Sequence, residues 1–240
     1  MTTSTTDITN VAVVTGGSHG LGRAISTALV ARGWAVVTDG RDPDALATTA
    51  KRIDSPLLTT VTGDVTDPRH RHDLIDTASR LGTVSLLVNN ASRLGPSPQP
   101  KLRDYPEDEL RAVYDANLFA PLALAIALLP ALAETAGAIV NISSDAAVEA
   151  YNGWGGYGSS KAALDQLTAV LAVEESAIDV YSFDPGDMRT LMHQQAFPGE
   201  DISDRPEPET VVPALERLLD ERPPSGRFRN SDLEPIGASS

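Results

Sequence analysis

The stretch TGGSHGLG, residues Thr15 to Gly22, limits this chain's fold more than any other feature. It follows a short apolar, β-branched run, Val11 to Val14, and opens a segment whose apolar residues recur at helical spacing as far as Gly33. In a strand–turn–helix unit, small residues let the backbone approach a ligand closely, and the N-terminus of the following helix faces an anion with unpaired N–H groups. Gly16, Gly20 and Gly22 make a GxxxGxG spacing rather than GxGxxG. Either string arises by chance, so the surrounding pattern has to decide.

That pattern repeats. WAVVTDG reads as a second strand, DPDALATTAKRI as a helix, LLTTVTGDV as a third strand, PRHRHDLIDTASRLG as a helix and VSLLVNNAS as a fourth strand. A proline-rich loop from Arg93 to Pro106 leads to one long helix, residues 107–134, with Pro121 near its middle, and then to a fifth strand, AIVNISS. A helix from Tyr157 to Ala177, a sixth strand IDVYSFDPG, a loop from Asp187 to Pro208, a helix from Glu209 to Glu221 and a short strand GRFRN complete the series. Alternation of this kind predicts an α/β fold: a single Rossmann-like, doubly wound parallel sheet flanked by helices. The expected organisation is a flexible N-terminal segment 1–7, one dinucleotide-binding and catalytic domain 8–232, and a frayed tail 233–240.

The formal net charge of −14 argues against nucleic acid or an anionic membrane as partner, because either needs a clustered positive surface. The polar N-terminus lacks a basic start followed by an apolar run, and no clean membrane-spanning stretch is expected, so the chain reads as cytoplasmic. With no cysteine there is no thiolate chemistry, and the four histidines have no metal-site spacing. The RHRH run, Arg69 to His72, reads as a solvated helix start.

The pentapeptide YGSSK places Tyr157 and Lys161 one helical turn apart, which solvated neighbours also satisfy. With the glycine turn, however, it makes the chain resemble the short-chain dehydrogenase/reductase family, whose cofactor motif is TGxxxGxG. Further family motifs occur in order: Asp64 after the third strand, NNAS from Asn89 to Ser92 where NNAG is usual, Asn117 in the long helix, then Ser144, Tyr157, Lys161 and PGDMRT. Ser92, Asp184 and the short region after Thr190 depart from the family pattern and bear on pocket shape.

The resemblance implies an NAD(P)(H)-dependent oxidoreductase with Asn117, Ser144, Tyr157 and Lys161 as its catalytic set. The cofactor contacts it implies are Thr15, Gly16, Ser18, His19, Gly20, Leu21 and Gly22 in the turn, Asp64 and Val65 after the third strand, and Asn90 and Ala91 after the fourth. Pro185, Gly186, Met188 and Thr190 follow the sixth strand, and Tyr157 and Lys161 themselves complete the set. Gly40 stands where NAD-preferring members usually carry an acid, and Arg41 follows it. A guanidinium can grip a 2′-phosphate in charge-assisted contacts. NADP(H) is therefore the expected cofactor, with His19 assisting, and NAD(H) is the alternative if Asp39 turns toward the ribose.

Carbonyl reduction builds negative charge on oxygen, so it needs a proton donor and a polariser. By resemblance these are Tyr157 and Ser144; Ser143 is the competitor and is expected to cap or pack. A free tyrosine titrates at about 10, so the Lys161 ammonium, with an oxidised nicotinamide, is expected to lower it. Lys161 is also expected to hold the ribose hydroxyls, while the kinked helix at Asn117 positions a water that links Lys161 to solvent.

Ligands in open sheets lie beyond the carboxyl ends of the strands, which makes Leu94, Asp145, Trp154, Met192 and Phe197 the substrate-pocket candidates, with Met188 beside them. The expected substrate is a small carbonyl compound or alcohol, and the apolar long helices suit a homodimer or homotetramer. The leading reading is a carbonyl reductase. The alternatives are an NAD(H)-dependent secondary-alcohol dehydrogenase and a non-catalytic nucleotide-sensing protein that kept the fold.

Overall fold

The computed structural model describes residues 10–233, so the expected flexible segment 1–7 and residues 234–240 of the expected tail lie outside the described residues. Seven strands form one sheet: β1 (Val11–Val14), β2 (Ala35–Gly40), β3 (Leu58–Thr62), β4 (Val84–Asn89), β5 (Ala138–Ile142), β6 (Asp179–Asp184) and β7 (Gly226–Arg229). They are ordered β3-β2-β1-β4-β5-β6-β7, and every pairing is parallel. The chain runs outward in one direction through β2 and β3 and returns to β4 on the other side of β1. A crevice opens there, at the carboxyl ends of the strands.

Period-two alternation divides the core between the two faces of the sheet. Ala12 and Val14 pack with Ile25 and Leu29 of α1 (Gly20–Ala31) and with Leu215 and Leu218 of α8 (Val212–Glu221). Val11 and Val13 pack on the other face, with Leu74 of α3 (Pro68–Leu81), Leu124 and Leu128 of α5 (Ala120–Glu134) and Leu171 of α6 (Gly155–Glu174). A strand covered on both sides has to be apolar throughout, which is why VAVV carries no polar residue. Truncating a fully buried side chain such as Leu124 to alanine would cost roughly 2–5 kcal/mol.

Helix starts are set locally. Asp42 accepts hydrogen bonds from the N–H groups of Asp44 and Ala45 at 2.9 and 3.2 Å and starts α2 (Pro43–Ile53). Asp67 does the same for α3 through Arg69 N–H at 2.9 Å. In both, proline follows the cap, where its missing N–H costs nothing.

Four expectations change. The long helix 107–134 is not continuous: α4 (Glu107–Tyr114) passes through a π turn, Asp115–Phe119, into α5. Pro121 has no N–H to give the carbonyl of Asn117, so the regular ladder opens at this point. By length and composition the same stretch is apolar enough to cross a bilayer, contrary to the sequence reading. Its apolar side is a core face, with Leu124, Leu128 and Leu132 all at or below 2% exposure. The expected loop 187–208 contains a short helix, α7 (Leu191–Ala196), started by the Thr190 hydroxyl, which accepts from His193 N–H at 3.1 Å. Leu233, assigned to the tail, is buried against the β1/α8 core, so the domain extends at least that far.

Candidate active site

The glycine turn packs directly on the end of β4. Gly16 has φ +72°, and a Cβ there would lie 2.9 Å from Ala91 Cα; a Cβ on Gly22 would lie 2.4 Å from Asn90 Nδ2. Thr15 lies under the turn, 2% exposed. Its hydroxyl oxygen accepts from the main-chain N–H groups of Asn90 and Ala91 at 3.0 and 2.9 Å. The Asn90 amide donates in return to the carbonyls of Thr15 and Gly16 at 2.8 and 3.2 Å. Thr15 and Gly22, expected as cofactor contacts, therefore brace the turn from behind and do not line the cleft. The Asn90 side chain does the same work, although Asn90 also reaches the cleft wall.

At the cleft wall beside the turn, both carboxylate oxygens of Asp39 have partners. One carboxylate oxygen accepts from Gly16 N–H at 2.6 Å and the other meets His70 Nε2 at 2.9 Å. His70 is 6% exposed, so the RHRH run is not a wholly solvated face. Its spacing to Leu74 and Ala78, four and eight residues on, places it on the buried side of α3, a signal present in the sequence.

A cleft of about 750 Å³ runs from the glycine turn to the ends of β5 and β6. At one end stand Ser18, His19 and Arg41, with Asp42. Burial, together with the nearby Arg23 and Arg41 guanidinium groups, holds the His19 imidazole below its usual range against the opposing pull of Asp42. Gly16, Gly20, Leu21, Asp64, Val65, Asn90 and Ala91 line the middle as expected. Burial alone would raise Asp64, but the N–H and hydroxyl of Thr66, at 2.9 and 2.8 Å, keep its carboxyl below the ordinary carboxylate range, with Arg41 and His70 adding to this.

At the other end the structure brings Ser144, Tyr157 and Lys161 together with Pro185, Gly186, Met188 and Thr190. Ser144 Oγ donates to Asp145 Oδ1 at 2.9 Å and accepts from Ala146 N–H at 3.2 Å, which caps a short 3-10 turn, Asp145–Ala147. The expected capping role thus falls to Ser144; the Ser143 hydroxyl is buried and unpartnered. Burial pushes the Tyr157 phenol up to about 12, the hydroxyls of Ser92 and Ser144 draw it down, and Asp184 and Asp145 push it up. Lys161, 2% exposed, donates to the Ile142 carbonyl at 2.7 Å and is pulled down to about 8 by the same burial, with Asp165 opposing. Lys161 is not among the groups that draw the phenol down in the protein alone, and desolvation outweighs those that do.

Asn117 is fully buried, and its side chain is consumed. The carbonyl oxygen accepts from Ser92 Oγ at 3.0 Å and Arg93 N–H at 2.7 Å, while the amide donates to Arg93 O at 3.0 Å and Ser160 Oγ at 2.9 Å. It ties the π turn to the β4 loop and α6, so any link to Lys161 falls to its main chain. Sequence reasoning missed Ser92 as a group acting on the phenol, noting it only as a departure from NNAG.

Of the residues expected at the substrate, Leu94, Asp145, Trp154 and Met192 line the same cleft, and Phe197 does not. The Phe197 ring packs behind the wall, 5.9 Å from Trp154 and 4.9 Å from His193 between ring centres. His193, Asp115 and Asp187, not singled out in the sequence, line the cleft as well.

A seven-stranded parallel sheet with a glycine-turn cleft that ends on Ser144, Tyr157 and Lys161 belongs to the dinucleotide-dependent oxidoreductases. The family model for short chain dehydrogenases matches residues 10–201. Short chain dehydrogenase asqE of Emericella nidulans is 34% identical over 172 residues, 68% of this chain, and the match spans 64% of that relative's own length. Among solved structures, the KRED1-Pglu enzyme superposes with a TM-score of 0.80 at 30% identity over 92% of this chain and all (100%) of its own. An alcohol dehydrogenase from the archaeon Thermococcus sibiricus, complexed with 5-hydroxy-NADP, gives 0.82 at 25% identity over 92% of this chain and 95% of its own. The chain belongs to the short-chain dehydrogenase/reductase family.

Proposed function

We propose that this protein is an NADP(H)-dependent carbonyl reductase with Tyr157 as proton donor. The observation that carries the reading is the buried Tyr157 side chain on the wall of the cleft together with Ser144 and Lys161, where the Ser92 and Ser144 hydroxyls are the groups that draw its phenol down. The residues present fit the cofactor. The turn at Gly16 and Gly20 holds positive φ angles of 72° and 56° and opens onto the N-terminus of α1, where pyrophosphate charge is favoured. Arg41 at the rim supports a 2′-phosphate, and the Asp39 carboxylate, although it reaches the cleft wall, is already engaged by Gly16 N–H and His70. The Thermococcus sibiricus relative, crystallised with an NADP derivative, supports the same preference.

When bound, NADPH supplies the hydride that reduces the carbonyl carbon. Ser144 Oγ turns from Asp145 to donate a hydrogen bond to the substrate oxygen as charge grows there. Tyr157 Oη then gives that oxygen its proton; a phenol held near 12 stays protonated at neutral pH and suits the reducing direction. Lys161, whose ammonium burial holds near 8, releases a proton readily and holds the ribose. Trp154, Met192 and Leu94 favour a medium-sized, weakly polar carbonyl compound. Self-association is supported by Phe119, Ile126 and Val173, exposed at 55%, 57% and 83% on the segments 107–134 and α6.

The test is a panel of ketones and aldehydes with NADPH and NADH, followed by loss of reduced-nicotinamide absorbance. Turnover with NADPH well above NADH is expected. Turnover only with NADH and an alcohol–ketone pair would favour the NAD(H)-dependent dehydrogenase, and tight cofactor binding without turnover would favour the nucleotide-sensing protein.

A further inference from the structure

Arg227 lies on β7, far in sequence from every motif of the site, and its guanidinium reaches three of the elements that build it. Nε donates to Asp165 Oδ2 at 2.9 Å, on α6 one turn beyond Lys161. Nη2 donates to the main-chain carbonyl of Ser144 at 3.0 Å and to Asp184 Oδ2 at 2.8 Å. The other Asp184 oxygen accepts from Gly186 N–H at 3.1 Å, so one chain of contacts runs from the last strand to the Pro185–Gly186 turn. The Asp184 and Asp165 side chains are only 6% and 15% exposed, and Arg227 is the cation that answers both.

We infer that Arg227 is a positioning residue: it fixes the main chain of Ser144 and the Asp184 turn, and it offsets the Asp184 charge behind Tyr157. This rests on the reading of Tyr157 as proton donor. Asp145 after β5, Asp184 at the end of β6 and the hydroxyls of Ser92 and Ser144 act on that phenol, and Lys161 on α6 stands over its ring, 5.6 Å from the centre. Asp184 disfavours the phenolate, and a guanidinium bonded to that carboxylate opposes the effect. An acid before the Pro–Gly turn is a departure from the family pattern, and Arg227 is its structural counterpart.

The experiment compares wild type, Arg227→Gln, Arg227→Lys and Arg227→Gln/Asp184→Asn in alcohol oxidation at saturating NADP⁺, where Tyr157 acts as base, with melting temperature and cofactor affinity measured alongside. The positive nicotinamide of bound NADP⁺ should bring the phenol down from its value near 12 in the protein alone, and in that complex Arg227→Gln should move the acidic limb of the kcat profile upward by about one pH unit, because the base becomes harder to ionise, while cofactor affinity changes little. Asp184→Asn in the same chain should return the limb, and Arg227→Lys should hold it partway. A lowered melting temperature with an unmoved limb, or a double variant that stays shifted, overturns the inference. The Tyr157 ring-carbon NMR signal of the NADP⁺ complex, assigned with Tyr157→Phe, reads the same titration without turnover. A wild type that oxidises no alcohol would therefore sink the functional reading, while the NMR titration still decides the role of Arg227.

Discussion

The Lys161 ammonium stands over the ring of Tyr157, 5.6 Å from its centre, and bonds the Ile142 carbonyl at 2.7 Å. Both side chains are buried, and burial moves them toward neutrality from opposite directions, the phenol up to about 12 and the ammonium down to about 8. The protein alone thus holds a neutral acid next to a loosely held proton.

Lys161→Met should make the fold more stable while abolishing turnover. A fall from 10.5 to about 8 corresponds to roughly 3 kcal/mol against keeping the charge, partly offset by the lost bond to Ile142. Because the folded value is depressed, the cost is full below pH 8 and fades as pH rises toward 10.5, so the stabilisation should shrink over that window. Denaturant melts at pH 7 and pH 10 check this; a variant less stable at both would contradict it.

The kcat/KM for NADPH should fall above about pH 8, as Lys161 in the free enzyme loses its proton. Tyr157, near 12 in the protein alone, should contribute no limb to this free-enzyme profile. A profile flat to pH 10 would mean that the Lys161 charge does not hold the cofactor.

Arg41→Ala should weaken NADPH by roughly ten- to 150-fold and NADH little, the scale of one charged hydrogen bond. Paired binding titrations by fluorescence decide it, and equal losses for both cofactors would remove Arg41 from the 2′-phosphate site.

His70→Ala should cost roughly 3 kcal/mol, because it leaves one buried oxygen of Asp39 without a partner. Loosening Asp39 should also raise NADH affinity relative to NADPH. Urea melts and the two cofactor affinities together test the pair; unchanged stability would show that solvent replaces the histidine.

The parallel sheet was legible because β1, β2, β4 and β5 are short, mainly apolar runs that alternate with helical spacing, and the Tyr157 end of the cleft because Ser144, Tyr157 and Lys161 keep family separations. What escaped depends on tertiary partners. His70 reads as one more charge in RHRH until its four-residue spacing to Leu74 is noticed, and the partner that makes it structural, Asp39, lies 31 residues earlier on β2. The π turn needed Pro121 to be read as a missing donor to Asn117 rather than as a mild irregularity. Phe197 reads as pocket wall, yet packs behind Trp154 and His193. Nothing local to GRFRN marks Arg227 as reaching Ser144 and Asp184.

The most direct test of the central claim is single-turnover hydride transfer from saturating NADPH in Tyr157→Phe, with cofactor binding measured on the same samples. Loss of one hydroxyl should leave folding and NADPH affinity near wild type and slow transfer by at least roughly 10²–10⁴-fold, the usual contribution of a positioned acid. Ser144→Ala should fall less far, because the donor remains. Transfer at the wild-type rate in Tyr157→Phe would contradict the assignment of Tyr157 as the proton donor.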